Sequence, residues 1–301
     1  VSYASAIAGM MNRKLTAFTI GRTGEEELKE LGRYGADRIL SLVNPALEVM
    51  DNRAWAKVIA DLAEKEGSKV VVFSNNMTGK ALAPRVSVRL KAGIASGVSR
   101  LPVSTEPFTV YKRAYSGNAF AGVVIKSEVK ILSLAQNSYE IIEKPTGAIP
   151  ETVEVEVDPS LAVTTITETH KQTGKILLTD AEIVVSGGRG MKSADNWAPL
   201  VELASLLNGA TACSRPVSDE GWRPHEEHTG QTGKIIAPNL YIAVGISGAT
   251  QHLAGVSSSK YIVAINNDKN APIFEAAQYG IVGDAMKVLP KLVDAVKTLK
   301  K

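Results

Sequence analysis

The sequence predicts an α/β protein of two domains: an N-terminal parallel-sheet α/β domain with an antiparallel extension, and a C-terminal doubly wound domain. Strand-like apolar runs alternate with helix-like runs in both halves, an order that favours parallel sheets covered by helices on both faces. A chain of 301 residues also exceeds the usual size of a single domain. We place the boundary near residue 172, which gives domains over residues 1–172 and 173–301.

The composition is that of an ordinary globular protein, with 45% hydrophobic and 22% charged residues. A net charge of +3, spread along the chain, gives no sign of nucleic-acid binding, and no apolar run approaches the roughly 18 residues of a membrane span. The single cysteine, Cys213, excludes an internal disulfide framework. With no secretory signal visible, we expect the cytoplasm, or the mitochondrial matrix in a eukaryote.

The first half opens with a small-residue helix, residues 1–11, whose first residue is Val rather than Met. We expect a trimmed chain in which the first strand of the domain precedes this helix. Further strands are predicted at 14–21, 37–42 and 69–74, and helices at 25–32, 53–66 and 80–93, from apolar spacing and from the glycines that end them.

Residues 74–79 follow a predicted strand at the place where an open α/β sheet binds ligands. We favour a plain strand-to-helix turn over a nucleotide-binding or partner-facing loop, because the spacing of a phosphate loop is absent. From residue 102 to 169 the pattern changes to short strands. They are predicted at 108–113, 121–125, 129–134, 153–157 and 163–169, and we expect them to form the antiparallel extension.

A new β-α alternation begins after the predicted boundary. Strand 182–185 leads into Ser186-Gly-Gly-Arg-Gly-Met-Lys-Ser193 and a helix, for which Ser193 is the predicted N-cap and Asn208-Gly209 the predicted stop. The glycines of this segment fall one residue short of a dinucleotide fingerprint. The next strand ends at Arg215, a residue type that suits the phosphate of NADP. An NADP-dependent oxidoreductase subunit is therefore one hypothesis.

The main concentration of glycine and polar residues is TGQTGKIIAPNLYIAVGISGATQH, residues 229–252. Its apolar run, residues 240–245, predicts a buried strand, and Gly245 and Gly248 permit the turn into the next helix. Such a junction offers backbone N–H groups and the positive end of a helix dipole to a phosphate. A second small-residue turn, residues 230–234, lies one strand away, so a long ligand with polar edges is expected.

Other chemical motifs are not matched. The turn at 230–234 is too short for an ATP loop. His225-Glu-Glu-His228 lacks the spacing of a zinc protease and is flanked by Pro and Gly, so we interpret it as a solvated loop rather than a metal site.

Several motifs together resemble the alpha subunit of electron transfer flavoproteins. They are residues 186–193, Ser214-Arg-Pro216, Gly230-Gln-Thr-Gly-Lys234, residues 240–255, Ile262-Val-Ala-Ile-Asn266 and Tyr279-Gly-Ile-Val-Gly-Asp284, in the order found in that family. The resemblance covers nearly the whole chain, and its specific motifs lie in residues 186–284.

The resemblance implies a carrier of single electrons, without substrate chemistry of its own, whose C-terminal domain binds FAD. It implies a heterodimer with an electron transfer flavoprotein beta subunit. It further implies electrons from flavin dehydrogenases, such as the acyl-CoA dehydrogenases of fatty acid β-oxidation, and an acceptor oxidoreductase downstream. An alpha subunit of an electron-bifurcating complex is a further alternative.

The resemblance also implies a set of FAD contacts. They are Arg189, Ser214, Arg215, Thr229, Gly230, Gln231, Thr232, Ser247, Gly248, Ala249, Thr250, Gln251, His252, Asn266 and Asp284. Three of them are expected to tune the redox potential: Thr232 at flavin N5, His252 at the O2 edge and Arg215 as a fixed positive charge. Asn266 is expected at the adenosine half and Asp284 at a ribose hydroxyl, with a strand-end turn residue and a helix N-cap as the alternatives. For His252 the alternative is a hydrogen-bonded helix histidine.

Overall fold

The computed structural model describes residues 1–117, 119–161, 163–168 and 176–300. The chain forms two units, one made of Val1–Ala114 and Ala119–His170 and the other of Tyr115–Asn118 and Lys171–Lys301. The boundary predicted at residue 172 lies outside the described residues.

Among the described residues, the first unit contains four α-helices and nine strands. The helices are α1 (Ser2–Met10), α2 (Glu25–Arg33), α3 (Asn52–Lys65) and α4 (Met77–Arg89). The strands are β1 (Thr16–Ile20), β2 (Arg38–Val43), β3 (Val70–Ser74), β4 (Gly93–Val98), β5 (Ser104–Thr105), β6 (Phe108–Ala114), β7 (Ala119–Val124), β8 (Lys130–Leu134) and β9 (Pro150–Glu154). They form one sheet in the order β1-β2-β9 and another in the order β3-β8-β4-β6-β5, with β7 paired to β6.

Capping residues define where α3 and α4 begin. The Asp51 carboxylate accepts hydrogen bonds from the N–H groups of Arg53 and Ala54 at the start of α3. The Asn76 side chain accepts from the N–H of Gly79 in the first turn of α4. Segment 74–79 therefore has the geometry of a capped strand-to-helix turn.

The strand pairing differs from the expectation for residues 102–169. Antiparallel pairing in the described chain involves β4, β5, β6 and β7. In contrast, β8 lies parallel between β3 and β4, and β9 lies parallel to β2. Residues 163–168 belong to no strand, and β4 was not predicted because its two glycines interrupt the apolar pattern. The prediction was wrong here because a strand's local sequence does not specify its neighbours.

The second unit has the predicted doubly wound sheet. Its strands are β10 (Ile183–Gly187), β11 (Ala210–Cys213), β12 (Leu240–Val244), β13 (Tyr261–Asn266) and β14 (Tyr279–Val282). All its pairings are parallel, in the order β11-β10-β12-β13-β14. Its helices are α5 (Ala198–Leu206), α6 (Arg215–Asp219), α7 (Thr250–Val256), α8 (Ile273–Ala276) and α9 (Ala285–Leu299).

Both faces of the central strand β12 are buried. In β12, Tyr241 and Ala243 belong to one apolar cluster, whereas Ile242 and Val244 belong to another. Because side chains alternate along a strand, the two clusters lie on opposite faces. This explains the uninterrupted apolar run that predicted the strand. No helix in the described ranges is both long and apolar enough to cross a membrane.

Candidate functional site

A cleft of about 790 Å³ lies at the carboxyl ends of the strands of the second unit. Its lining includes Arg189 after β10, Ser214 after β11, Gly245 after β12, Asn266 at the end of β13 and Asp284 after β14. The strand order changes direction at this point, since β11 lies on one side of β10 and β12 on the other. Open α/β sheets bind ligands at such a switch point, and the volume is within the range of cofactor sites.

The structure brings most of the predicted contacts together in this cleft. They are Arg189, Ser214, Arg215, Thr229, Gly230, Gln231, Thr232, Ser247, Ala249, Gln251, His252, Asn266 and Asp284. Gly248 and Thr250 are not among the lining residues. Gly248 has a φ of +85° and lies so close to α8 that a Cβ would be 2.3 Å from the Ile273 nitrogen, so it serves the turn itself.

Other lining residues were not predicted. They are Gly190, Lys192, Pro216, Asp219, Glu220, His228, Gly245, Ile246, Asn267 and Ala285. The clearest omission is Lys192, whose ammonium group lies 3.0 Å from the Asp284 carboxylate. Lys192 belongs to the motif at 186–193, but the sequence of a glycine-rich loop does not indicate which way a lysine side chain points.

The glycines after β10 allow two strand-end loops to meet. A Cβ on Gly188 would lie 2.2 Å from the Gly245 oxygen, and one on Gly190 would lie 2.6 Å from the Gly245 Cα. The Gly190 N–H donates to the Gly245 carbonyl over 3.0 Å. Loop packing therefore accounts for the pattern Gly188-x-Gly190, which needs no nicotinamide nucleotide to explain it.

The turn at residues 229–233 lies directly against α7. The Gln231 N–H donates to the Gln251 carbonyl over 2.7 Å. A Cβ on Gly255 would lie 2.5 Å from the Gly230 Cα. The two small-residue turns recognised in the sequence therefore form one continuous wall. Thr229 is fully buried in that wall and donates its hydroxyl to the Cys213 carbonyl, so its side chain is engaged within the fold.

Arg215 and Thr232 lie side by side. An Arg215 Nη1 is 3.4 Å from the Thr232 hydroxyl, and the Arg215 Nε is 3.3 Å from an Asp219 carboxylate oxygen. The Arg215 side chain is 64% exposed. The Asp219 carboxylate therefore offsets part of the positive charge of Arg215.

His252 is held from behind by Tyr241. Its Nε2 lies 2.8 Å from the Tyr241 hydroxyl, which is fully buried, and its buried Nδ1 has no hydrogen-bond partner in the described chain. Burial lowers the pKa of His252 to about 4; the nearby His228 adds to this shift and the Thr229 backbone opposes it. The imidazole is thus neutral at pH 7, and its Nδ1 makes no hydrogen bond within the described chain.

His228 corrects the interpretation of His225-Glu-Glu-His228 as a solvated loop. His225 is exposed, but His228 is only 2% exposed, and its Nδ1 has no hydrogen-bond partner in the described chain. Burial is the main cause of its lowered pKa. Glu227 pairs with Arg223 at 2.5 Å. Within the described ranges no group of three or more His, Cys, Asp or Glu residues could hold a metal ion.

Asn266 and Asp284 line the cleft, and both also make hydrogen bonds within the fold. The Asn266 amide donates to the Ile246 carbonyl and accepts from the Asp268 N–H. Asp284 caps α9 by accepting from the Met286 N–H. The hydrogen bond from Lys192, with that from Met286, lowers the pKa of the Asp284 carboxyl.

Comparison with known proteins gives the same family for both units. A model described as "Electron transfer flavoprotein domain" matches residues 1–160, and one described as "Electron transfer flavoprotein FAD-binding domain" matches residues 177–257. The chain is 37% identical to electron transfer flavoprotein subunit alpha of Bacillus subtilis (strain 168), over 93% of this chain and 86% of that protein. It is 35% identical to Protein FixB of Clostridium saccharobutylicum, over 97% of this chain and 89% of that protein. It is also 35% identical to electron transfer flavoprotein subunit alpha of Megasphaera elsdenii, over 99% of this chain and 90% of that protein.

Proposed function

This chain belongs to the electron transfer flavoprotein alpha-subunit family, and we propose that the cleft at the carboxyl ends of β10–β14 binds its FAD. The family is one of electron carriers, and residues 177–257 match its FAD-binding domain. The observation that carries the proposal is the convergence of thirteen predicted contacts, from five strand ends and the turn at residues 229–233, on one cleft of about 790 Å³.

The residues present fit FAD chemically. The cleft combines three cations, Arg189, Lys192 and Arg215, with two turns of small polar residues. Cations and exposed backbone N–H groups suit a pyrophosphate. The buried, unpaired Nδ1 of His252 suits an acceptor on the ligand, because an unsatisfied buried polar atom is costly without one. FAD, when bound, supplies reversible uptake of electrons.

We propose which part of FAD each group of lining residues would contact. Ser247, Ala249 and Gln251, with Arg189 and Lys192, would hold the pyrophosphate. Thr232, Arg215 and His252 would face the flavin, where neutral His252 donates a hydrogen bond and Arg215 holds a fixed charge. Donors prearranged in this way favour negative charge that develops on their ligand. Asn266 would reach the adenosine half and Asp284 a ribose hydroxyl.

We further propose that the chain functions in a heterodimer with a beta subunit. It would receive single electrons from flavin dehydrogenases, such as acyl-CoA dehydrogenases, and deliver them to an acceptor oxidoreductase. A reducing cytoplasm fits its lone cysteine, a buried free thiol whose pKa burial raises to about 12. An electron-bifurcating complex is the second candidate, left open by the sequence. A further flavin in the partner chain would distinguish it.

The test compares two threonines in the heterodimer. Thr232 lines the cleft, whereas Thr250 is exposed at the start of α7 and outside the lining. Thr232→Val removes a hydroxyl while keeping the shape, and a hydrogen bond to a charged group is worth roughly 1.5 to 3 kcal/mol. The reduction potential of bound FAD should fall by roughly 60 to 130 mV. Thr250→Val is the matched control and should leave it unchanged.

Spectra and kinetics of the same preparations separate the proposal from its alternatives. The heterodimer should show flavin absorption, with one FAD per alpha chain, and no turnover of nicotinamide nucleotides. A colourless protein that reduces or oxidises NADP would overturn the proposal. Equal potentials for the two threonine variants would remove Thr232 from the flavin edge.

A further inference from the structure

Strand β12 contains one polar side chain, the hydroxyl of Tyr241. The other residues of the strand, Leu240 and residues 242–244, are aliphatic, and Tyr241 is fully buried among them. A buried hydroxyl is costly unless it is hydrogen-bonded, so phenylalanine would serve packing alone at this position. The hydroxyl lies 2.8 Å from the Nε2 of His252. The polar atom of Tyr241 therefore contacts a residue of the cleft.

Strand β12 and helix α7 fix the geometry of this pair. Tyr241 shares an apolar cluster with Val256 of α7, so it lies on the face of the sheet that this helix covers. The rings of Tyr241 and His252 are tilted by 46°, and their centroids are 6.1 Å apart. His252 lines the cleft, whereas Tyr241 is not among the lining residues. An effect of Tyr241 on a ligand therefore passes through His252.

The acid–base chemistry of the two groups decides which of them donates. Burial raises the pKa of the Tyr241 phenol, against smaller opposite effects of Ser186 and Thr229, so the phenol keeps its proton. Neutral His252 has one N–H and one nitrogen lone pair. A phenol is a stronger acid than a neutral imidazole N–H, and an imidazole nitrogen is a stronger base than a phenol oxygen. The hydrogen bond therefore runs from the Tyr241 hydroxyl to Nε2, which leaves the imidazole proton on Nδ1.

We propose that Tyr241 is a positioning residue that holds His252 in the tautomer protonated at Nδ1. In the described chain Nδ1 is buried without a hydrogen-bond partner, so the fold itself does not use this N–H. The opposite tautomer would leave a lone pair at Nδ1 and make the ring an acceptor there. Donation from His252 to FAD rests on the proposed function, whereas the tautomer itself does not depend on FAD.

NMR of the histidine rings, labelled with ¹⁵N, measures the tautomer directly in the 301-residue chain and in the FAD-bearing heterodimer. The ¹⁵N chemical shift distinguishes a protonated from an unprotonated ring nitrogen, and couplings to the ring C–H groups identify each nitrogen. The signals that disappear in His252→Leu belong to His252. At pH 7 we expect the proton on Nδ1, and a mixture of both tautomers in Tyr241→Phe. A proton on Nε2, or an unchanged tautomer in Tyr241→Phe, would overturn the proposal.

A double-mutant cycle on the reduction potential of FAD in the heterodimer tests whether Tyr241 acts through His252. Tyr241→Phe should lower the potential by less than His252→Leu does, because only part of the N–H donor is lost. In the His252→Leu background, Tyr241→Phe should have no further effect, since residues that act through one contact are not additive. Tyr261→Phe is the matched control, because Tyr261 lies in the neighbouring strand β13, is 46% exposed and is outside the lining.

The two substitutions also separate this proposal from the proposed function. Additive effects of Tyr241→Phe and His252→Leu would overturn the positioning role, because the tyrosine would then act through packing. An unchanged potential in Tyr241→Phe beside a lowered one in His252→Leu would do so too. If His252→Leu itself leaves the potential unchanged, the assignment of His252 to the flavin fails, and the tautomers seen by NMR still decide the role of Tyr241.

Discussion

At the residue scale, the contact between Arg215 and Asp219 changes what the arginine is expected to do. Arg215→Ala should lower the reduction potential of the bound flavin, because a fixed positive charge is lost. Arg215→Lys should retain part of the effect. The ion pair adds an opposite prediction: Asp219→Asn should raise the potential, because it removes the charge that now offsets Arg215.

Spectroscopic redox titration of the heterodimer, together with FAD dissociation constants, measures both effects. If Arg215 instead holds a phosphate of FAD, Arg215→Ala will weaken FAD binding with little change in potential. An Asp219→Asn variant whose potential does not move would show that the flavin lies beyond the reach of this pair.

The buried His252 should make stability depend on pH. Its pKa is about 4 in the folded protein, against about 6.5 in the unfolded chain. Between these values the unfolded chain binds a proton that the native protein does not. The free energy of unfolding should therefore fall as the pH drops from 6.5 to 4, by up to about 3 kcal/mol over the whole window.

Urea unfolding at several pH values checks this dependence. His252→Gln should flatten the slope between pH 6.5 and 4, although His228, whose pKa is also lowered, will leave a residual slope. An unchanged slope in His252→Gln would contradict a neutral buried ring.

At the element scale, α3 depends on Asp51. Burial alone would raise the pKa of this carboxyl, but hydrogen bonds from Thr164 and from the N–H groups of Arg53 and Ala54 lower it to about 2. Asp51→Ala should lower the free energy of unfolding by about 1 to 2 kcal/mol, the usual cost of losing an N-cap. Because the pKa is depressed, the contribution is present above pH 4 and is lost as the pH falls toward 2.

Denaturant titration of Asp51→Ala at pH 7 measures the cost. Asp51→Asn keeps a capping oxygen and should retain most of the stability, while losing the pH dependence. Equal destabilisation by both substitutions would show that the charge, and not the cap, matters.

The elements also show how far local sequence can predict structure. Strands β10, β11 and β12 of the second unit were predicted because each is a short apolar run bounded by glycine or polar residues. The helix N-cap considered as an alternative for Asp284 is present at the start of α9. The parallel placement of β8 and β9 was not found, because the pairing partner of a strand lies elsewhere in the chain. In the cleft, motifs located most lining residues, whereas Lys192 and His228 became evident only from their contacts and burial.

At the scale of the whole molecule, a beta subunit should be needed for stable FAD binding. Apolar side chains are open to solvent, among them Met77 and Val88 on the outer face of α4, with 82% and 79% exposure. Surfaces of this kind favour association with another protein. A partner that binds only the loaded form raises the apparent affinity for the ligand.

The chain expressed alone should therefore lose most of its FAD during gel filtration, and co-expression with a beta subunit should restore one FAD per alpha chain. Flavin quantitation of each elution peak makes the measurement. A monomer that keeps stoichiometric FAD would contradict the prediction.

The contact of Gly188 and Gly190 with Gly245 has a consequence for how this family can diverge. In most packed pairs, a larger side chain on one partner can be compensated by a smaller one on the other. Here both partners already lack a side chain, and an added Cβ would lie 2.2 to 2.7 Å from the opposing backbone. No second substitution can restore the fit, because there is no side chain on the partner to make smaller. Compensating pairs of substitutions are therefore not available at these three positions. A substitution library covering positions 188, 190 and 245 together should return glycine at all of them, however deeply it is sampled.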